Sequence, residues 1–293
     1  MRIAISAIMA FCAVTLVATS FPASASPTHG YTYARVYVKG QVSQYTYTVD
    51  QSGEEITAVA RLKSYVHGGI GGEQVKWFAL YSDGQDLSAQ ARAFPPYEMS
   101  LDPKDPDGLT QPDTQTAGLL QYPVLDLYTF YEGLSDSVVG IDNLHQPGQS
   151  YVEPTLLHGN FPSATAPVGQ DLTQPTTTLT SLSARQATFT ESFQPPAGGG
   201  LTLSEPWMSS PVCGSIPNNF ELVQAEGSQW AALWGCESFT DTIVVDRASG
   251  QIVSAQQTDT LQVDVTVCQD EALTECGPIQ PTSLLRTVQL TRN

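Results

Sequence analysis

The chain has 293 residues, and its 29 Asp and Glu outnumber 12 Lys and Arg to give a formal charge of −17. A surplus of that sign repels nucleic acid and anionic membrane surfaces and favours solubility, so a nucleic-acid function is excluded. Five cysteines and four histidines leave little material for thiol or metal chemistry, while the length suffices for one large domain or two small ones with a real core.

The first element in chain order is a leader. Arg2, an apolar run over residues 3–18, and Ala23-Ser24-Ala25 as a small-x-small cleavage site predict a secretory signal peptide over residues 1–25. The mature chain, 26–293, is then secreted, periplasmic or extracellular, and it contains no apolar run long enough for a transmembrane helix. A lipid anchor on Cys12 is set aside, because Phe11 stands where such a motif needs a small residue.

A period of two follows almost everywhere. "YTYARVYVKGQVSQYTYTV" alternates tyrosines with polar neighbours, "DQSG" is a turn, and "EEITAVARLKSYV" returns. "EQVKWFALY" is expected to place Val75, Trp77, Ala79 and Tyr81 on one face, with Asp83-Gly84 as a tight hairpin turn. Residues 101–121, "LDPKDPDGLTQPDTQTAGLLQ", carry the weakest pattern and form the expected sub-unit boundary. "PVLDLYTFY" and "TTTLTSL…QATFTESF" are β-branched and aromatic, and both are assigned to strands. "FTDTIVVDRASGQIVSAQQTDTLQVDVTVC" is a long hairpin turning at Asp246–Gly250, and "SLLRTVQLTR" is a final strand. No stretch of a dozen residues after the leader carries a helical stripe; short helical turns are expected only at "LSDSVVGI" and "QDEALT". The fold class is therefore all-β, an antiparallel sandwich or open half-barrel of long hairpins in one secreted domain.

Four cysteines remain after cleavage, and an even number in an exported chain predicts disulfides. Of the three pairings, Cys213–Cys236 with Cys268–Cys276 is preferred: the latter closes the local loop "CQDEALTEC", and the former ties one strand to the segment before it. Zinc is the rival reading, disfavoured because the chain has no C-x-x-C pair and no histidine after His158.

The candidate sites are few. "LHQPGQSYVEPTLLHG" holds His145, Glu153 and His158 at a spacing that matches no zinc pattern and is broken by prolines; a turn and a short strand is the preferred reading. "DPKDPDG" places Asp102, Asp105 and Asp107 beside Gly108, a set that would suit structural calcium, but its register departs from an EF-hand and a solvated acidic turn is preferred. There is no G-x-S-x-G elbow, and "GGIGG" after His67 lacks the Lys-Ser/Thr of a phosphate loop. Trp77, Trp207, Trp230 and Trp234 are assigned mainly to the core, Trp230 and Trp234 sharing strand parity.

The hairpin "IVVDRASGQIVSAQQTDTLQVDV" resembles the long twisted hairpins of LolA-like lipoprotein carriers, whose curved antiparallel sheet cups an apolar ligand. The resemblance covers that hairpin alone, implies a fold and carries over no binding residue. On sequence the chain is assigned to no family. The expected function is non-catalytic binding of an apolar ligand, a glycan or a protein, with no cofactor assigned. A secreted hydrolase using a His/carboxylate site and a cell-surface structural or interaction module are the alternatives.

Overall fold

The structure, a computed structural model, describes residues 33, 35–105, 107–114, 116–135, 141–152, 168–170, 175–194, 200–202, 213, 217–224, 229–270, 273 and 275–293. The expected leader and "LSDSVVGI" beyond Ser135 lie mainly outside them, as do Glu153, His158 and Trp207. In chain order the strands are β1 (Val42–Gln51), β2 (Glu54–His67), β3 (Ile70–Ser82), β4 (Gln85–Asp86), β5 (Tyr97–Met99), β6 (Ser150–Val152) and β7 (Val168–Gln170). There follow β8 (Thr176–Leu182), β9 (Gln186–Phe193), β10 (Gly200–Thr202), β11 (Asn219–Gln224), β12 (Trp230–Asp246), β13 (Ile252–Cys268) and β14 (Gln280–Arg292). Among the described residues two α-helices interrupt them, α1 (Ser88–Ala93) and α2 (Gln121–Glu132).

Twelve of the strands form one antiparallel sheet in the order β4-β3-β2-β1-β14-β13-β12-β9-β8-β6, with β5 on β3 and β11 on β12. The protein is all-β. The expected hairpin turns are present. Ser52-Gly53 and Asp83-Gly84 have positive φ at both turn residues, the geometry that follows the twist of the strands they join. Cys213–Cys236 and Cys268–Cys276 are both formed.

Side-chain alternation gives this sheet one buried inner face. Leu80, Ala58, Tyr47, Leu290, Ala255, Ile243, Phe189 and Leu179 are register partners in succession, an unbroken row across eight strands that is at most 3% exposed. Helix α2 packs on this row: Val124, Leu127 and Phe130 belong to the same buried cluster, and a Cβ at Gly133 would lie 3.2 Å from Ile243 Cδ1.

Two expectations are corrected. "PVLDLYTFY" is helix α2, not a strand. Residues 123–127 are all buried along with Phe130 and Tyr131, so the helix is enclosed nearly all round and shows no amphipathic stripe. Pro123 is accommodated in its first turn, where no N–H partner is required. In β3, Trp77 faces Ala60 but Ala79 faces Val59, leaving Phe78 as an extra residue. That bulge reverses the alternation: Leu80 is buried, while Tyr81, expected to share Trp77's face, is 40% exposed.

Trp77 and Trp234 are core residues and Trp230 is half-buried. Trp234 sits on the strand parity opposite Leu233, and both are buried, so β12 is covered on two faces at this end.

A carboxyl-rich seam beneath helix α2

The row next to the apolar one changes character midway. Its register partners are Ser82, Ile56, Val49, Val288, Gln257, Asp241, Glu191 and Thr177, apolar over β2, β1 and β14 and polar from β13 to β8. The following row places Arg286 of β14 opposite Asp259 of β13. Helix α2 contributes Asp126, whose Oδ2 accepts hydrogen bonds from Arg286 Nη2 and Tyr47 Oη. Arg286 Nη1 donates to Gln257 Oε1 at 3.1 Å, and Gln257 Nε2 donates to Asp241 Oδ2 at 3.3 Å. Among the described residues Arg286 therefore reaches Asp241 through an amide.

The seam is short of both positive charge and hydrogen-bond donors. Thr177, Asp241 and Asp259 are 1%, 3% and 4% exposed, yet Thr177 Oγ1, Asp241 Oδ1 and Asp259 Oδ1 have no partner among the described residues. An unsatisfied buried polar atom costs about 1–3 kcal/mol, so three on one sheet face, on β8, β12 and β13, are costly. Burial, reinforced by Glu191, holds the Asp241 carboxyl well above its ordinary range. Burial pushes Asp259 up to about 7, with Glu237 adding and Arg286 opposing. Burial and Glu132 push Glu191 up to about 7, and burial raises Glu132 despite a 2.9 Å hydrogen bond from Tyr128 Oη. Glu132 closes the C-terminal turn of α2, where the helix dipole also disfavours negative charge. Arg286 is held above its usual value: burial opposes its charge, but Asp126, Tyr47 and Asp259 together outweigh that.

On the far side of the seam lies a second, smaller apolar cluster of Ala231, Leu233, Leu261, Val263 and Leu284. The carboxyls thus stand between two apolar regions of one sheet face. Chemically, the arrangement can donate from protonated carboxyls near neutral pH, or accept a cation or a donor-rich group once they ionise.

The residues singled out by sequence are elsewhere. His145 is exposed, and its N–H and that of Gln146 donate to Gln149 Oε1 at 2.6 and 2.8 Å, closing the "QPGQ" turn before β6. Its expected companions Glu153 and His158 lie outside the described residues. Asp102 Oδ2 accepts from Gly71 N at 2.7 Å and Oδ1 from Lys104 N at 3.0 Å, so its carboxylate braces the β2–β3 turn. Asp105 and Asp107 do not join it in a ligand set: among the described residues no group of three or more His, Cys, Asp or Glu is arranged to hold a metal ion. The seam itself was missed, although it left a signal. Asp241 shares strand parity with Ile243 and Val245, Asp259 with Leu261 and Val263, Glu191 with Ala187 and Phe189, and Arg286 with Leu284 and Val288. Charged residues in phase with a strand's buried set are the mark of such a site.

No protein-family model and no curated protein sequence matches the chain. Among solved structures it is similar to one described as "Lipid-protein interactions in lipovitellin", with 9% identity and a TM-score of 0.35. The match covers 88% of this chain and 25% of that one, so the chain spans about a quarter of its length. A superposition that loose transfers neither residues nor ligand.

Proposed function

We propose that this is an exported, non-catalytic binding protein whose ligand sits on the inner face of the sheet against the carboxyl seam beneath α2. The observation that carries this reading is the trio of unpartnered buried atoms, Thr177 Oγ1, Asp241 Oδ1 and Asp259 Oδ1. Once ionised, the two carboxylate oxygens call for a donor-rich group, and the threonine hydroxyl can accept from it as well. A seam with one arginine among Asp126, Asp241, Asp259 and Glu191 favours a cationic one, and the flanking apolar clusters favour an apolar remainder. The ligand is thus an amphiphile headed by an amine. Export is supported by the two disulfides, which belong to oxidising compartments. Binding is favoured over hydrolysis because Asp241 and Asp259, at 3% and 4% exposed, lack the access to bulk water that a hydrolytic pair needs.

Calorimetric titration with octylammonium and octanoate tests this. Octylammonium should bind and octanoate should not, and affinity should rise as pH passes upward through about 7, where Asp259 and Glu191 ionise. Asp241→Asn combined with Asp259→Asn should abolish binding while leaving the far-UV circular dichroism unchanged. Equal binding of the two amphiphiles, or undiminished binding by that variant, would overturn the reading.

A further inference from the structure

All four lysines fall between residues 39 and 104, and from residue 105 onward only Arg185, Arg247, Arg286 and Arg292 carry positive charge. The fold concentrates this asymmetry at one corner. Lys63 faces Val42 across β1 and β2, and Arg61 faces Lys76 across β2 and β3. Lys39 joins them, because Gly40 N donates to Ser64 O and Ser64 N to Gln41 O, both at 2.8 Å, extending the pairing past the start of β1. All four cations are exposed, and among the described residues none has an ion-pair partner. Like charges placed directly opposite, as Arg61 and Lys76 are, oppose folding and gain from an outside counter-charge.

Exposed apolar side chains share the corner. Val38 is 58% exposed, Val42 51% and Val66 37%. They cap strand ends and the loop before β1 rather than line a flat face. Nearby acids are few: Glu98 lies opposite Gln74, and Asp102 and Asp105 stand behind the β2–β3 turn with Lys104. The acids of these strands gather at the other end, at Asp50, Glu54, Glu55 and Asp83. Eight residues of β1 separate the ends by roughly 27 Å, well beyond the physiological screening length of about 8 Å. The corner therefore presents its own positive field in spite of the chain's −17.

We propose that this corner docks the protein on an anionic lipid membrane, the lysines and Arg61 meeting headgroup phosphates and the valines entering the interface. A phosphate polymer such as nucleic acid would use the cations but not the valines. A second copy would need a flat apolar patch, which valines at strand ends do not supply. The site takes a surface rather than a molecule, and its test is independent of the seam beneath α2.

The measurement is co-sedimentation of the full chain with phosphatidylcholine vesicles, with or without about one-third phosphatidylglycerol. Binding is expected to the anionic vesicles alone and to be lost at high salt. Lys39→Glu, Lys63→Glu and Lys76→Glu together should weaken it by at least about ten-fold. Val38→Ser with Val42→Ser should weaken it by about three-fold without changing its salt dependence. All five side chains are exposed, and thermal melts monitored by circular dichroism verify that the variants fold. Equal affinity for neutral vesicles, or a charge-reversed triple variant that binds like the parent, overturns the proposal. So does a salt-sensitive dimer in sedimentation equilibrium without vesicle binding, which would assign the corner to a second copy.

Discussion

Two buried charge networks cross this core, and they are built to opposite rules. At the β2–β3 end, Arg35 Nη2 meets Glu73 Oε1 at 2.5 Å, Tyr131 Oη of α2 donates to Glu73 Oε2 at 2.5 Å, and Ser64 Oγ lies 3.4 Å from both Arg35 Nη2 and Glu73 Oε1. Arg35 Nη1 adds Ser249 O at 3.1 Å, its guanidinium lies 4.8 Å from the Tyr37 ring centroid, and only its Nε lacks a partner among the described residues. One cation balances one anion. At the other network Arg286 stands against Asp126, Asp259, Asp241 and Glu191, and three polar atoms have no partner among the described residues. Each network fastens α2 to the sheet, through Tyr131 in the first and Asp126 in the second. The first spends its polar groups on that attachment; the second has carboxyls left over. Surplus buried charge weakens a fold, and a group that weakens a fold is expected where a ligand will use it.

The sharpest break comes from Glu73→Ala. It strands Arg35 almost without exposure, so urea denaturation should show a loss of about 3–5 kcal/mol. A loss below about 1 kcal/mol would show that the balanced network is not balanced at all.

Next is pH. Asp259 and Glu191 lose their protons near 4 in the unfolded chain but hold them to about 7 when folded. Between those values the folded state binds more protons, so stability falls as pH rises from about 4 to about 7 and is level above. Asp259→Asn with Glu191→Gln should flatten this fall. A curve of unchanged slope in that variant would assign the dependence to other groups.

Asp126→Ala should cost less than Glu73→Ala, about 2 kcal/mol, because Asp259 lies opposite Arg286 and can take over its charge. Equal losses would mean that the spare carboxyls offer no reserve. The smallest effect is Ser64→Ala, about 0.5 kcal/mol, since its contacts to Arg35 and Glu73 are long. An effect as large as that of Glu73→Ala would make the serine an essential third member.

Much of the sheet was legible because strand alternation and turn chemistry are local. The tyrosines of β1, the Asp83-Gly84 turn and the β12–β13 hairpin each follow from neighbours within a few residues. Helix α2 was not legible, since enclosure on nearly every side removes the stripe that marks a helix and leaves a run resembling a buried strand. The bulge at Phe78 was invisible for a related reason: it depends on which residues of β2 and β3 meet. His145 drew notice as a rare residue type, yet the fold leaves it on an exposed turn.

The sequence by itself determined the antiparallel β class, the main hairpins and the residues that pair as disulfides, all of which rest on short-range pattern or on cysteine arithmetic. Only the tertiary structure decided that β1 joins β14, that α2 covers the inner face, and that Asp126, Arg286, Asp259, Asp241 and Glu191 share one seam. Those side chains come from residues up to 160 positions apart, as in the Arg286–Asp126 pair. Their protonation is set by burial and by one another's fields, which exist only once the sheet has closed over them.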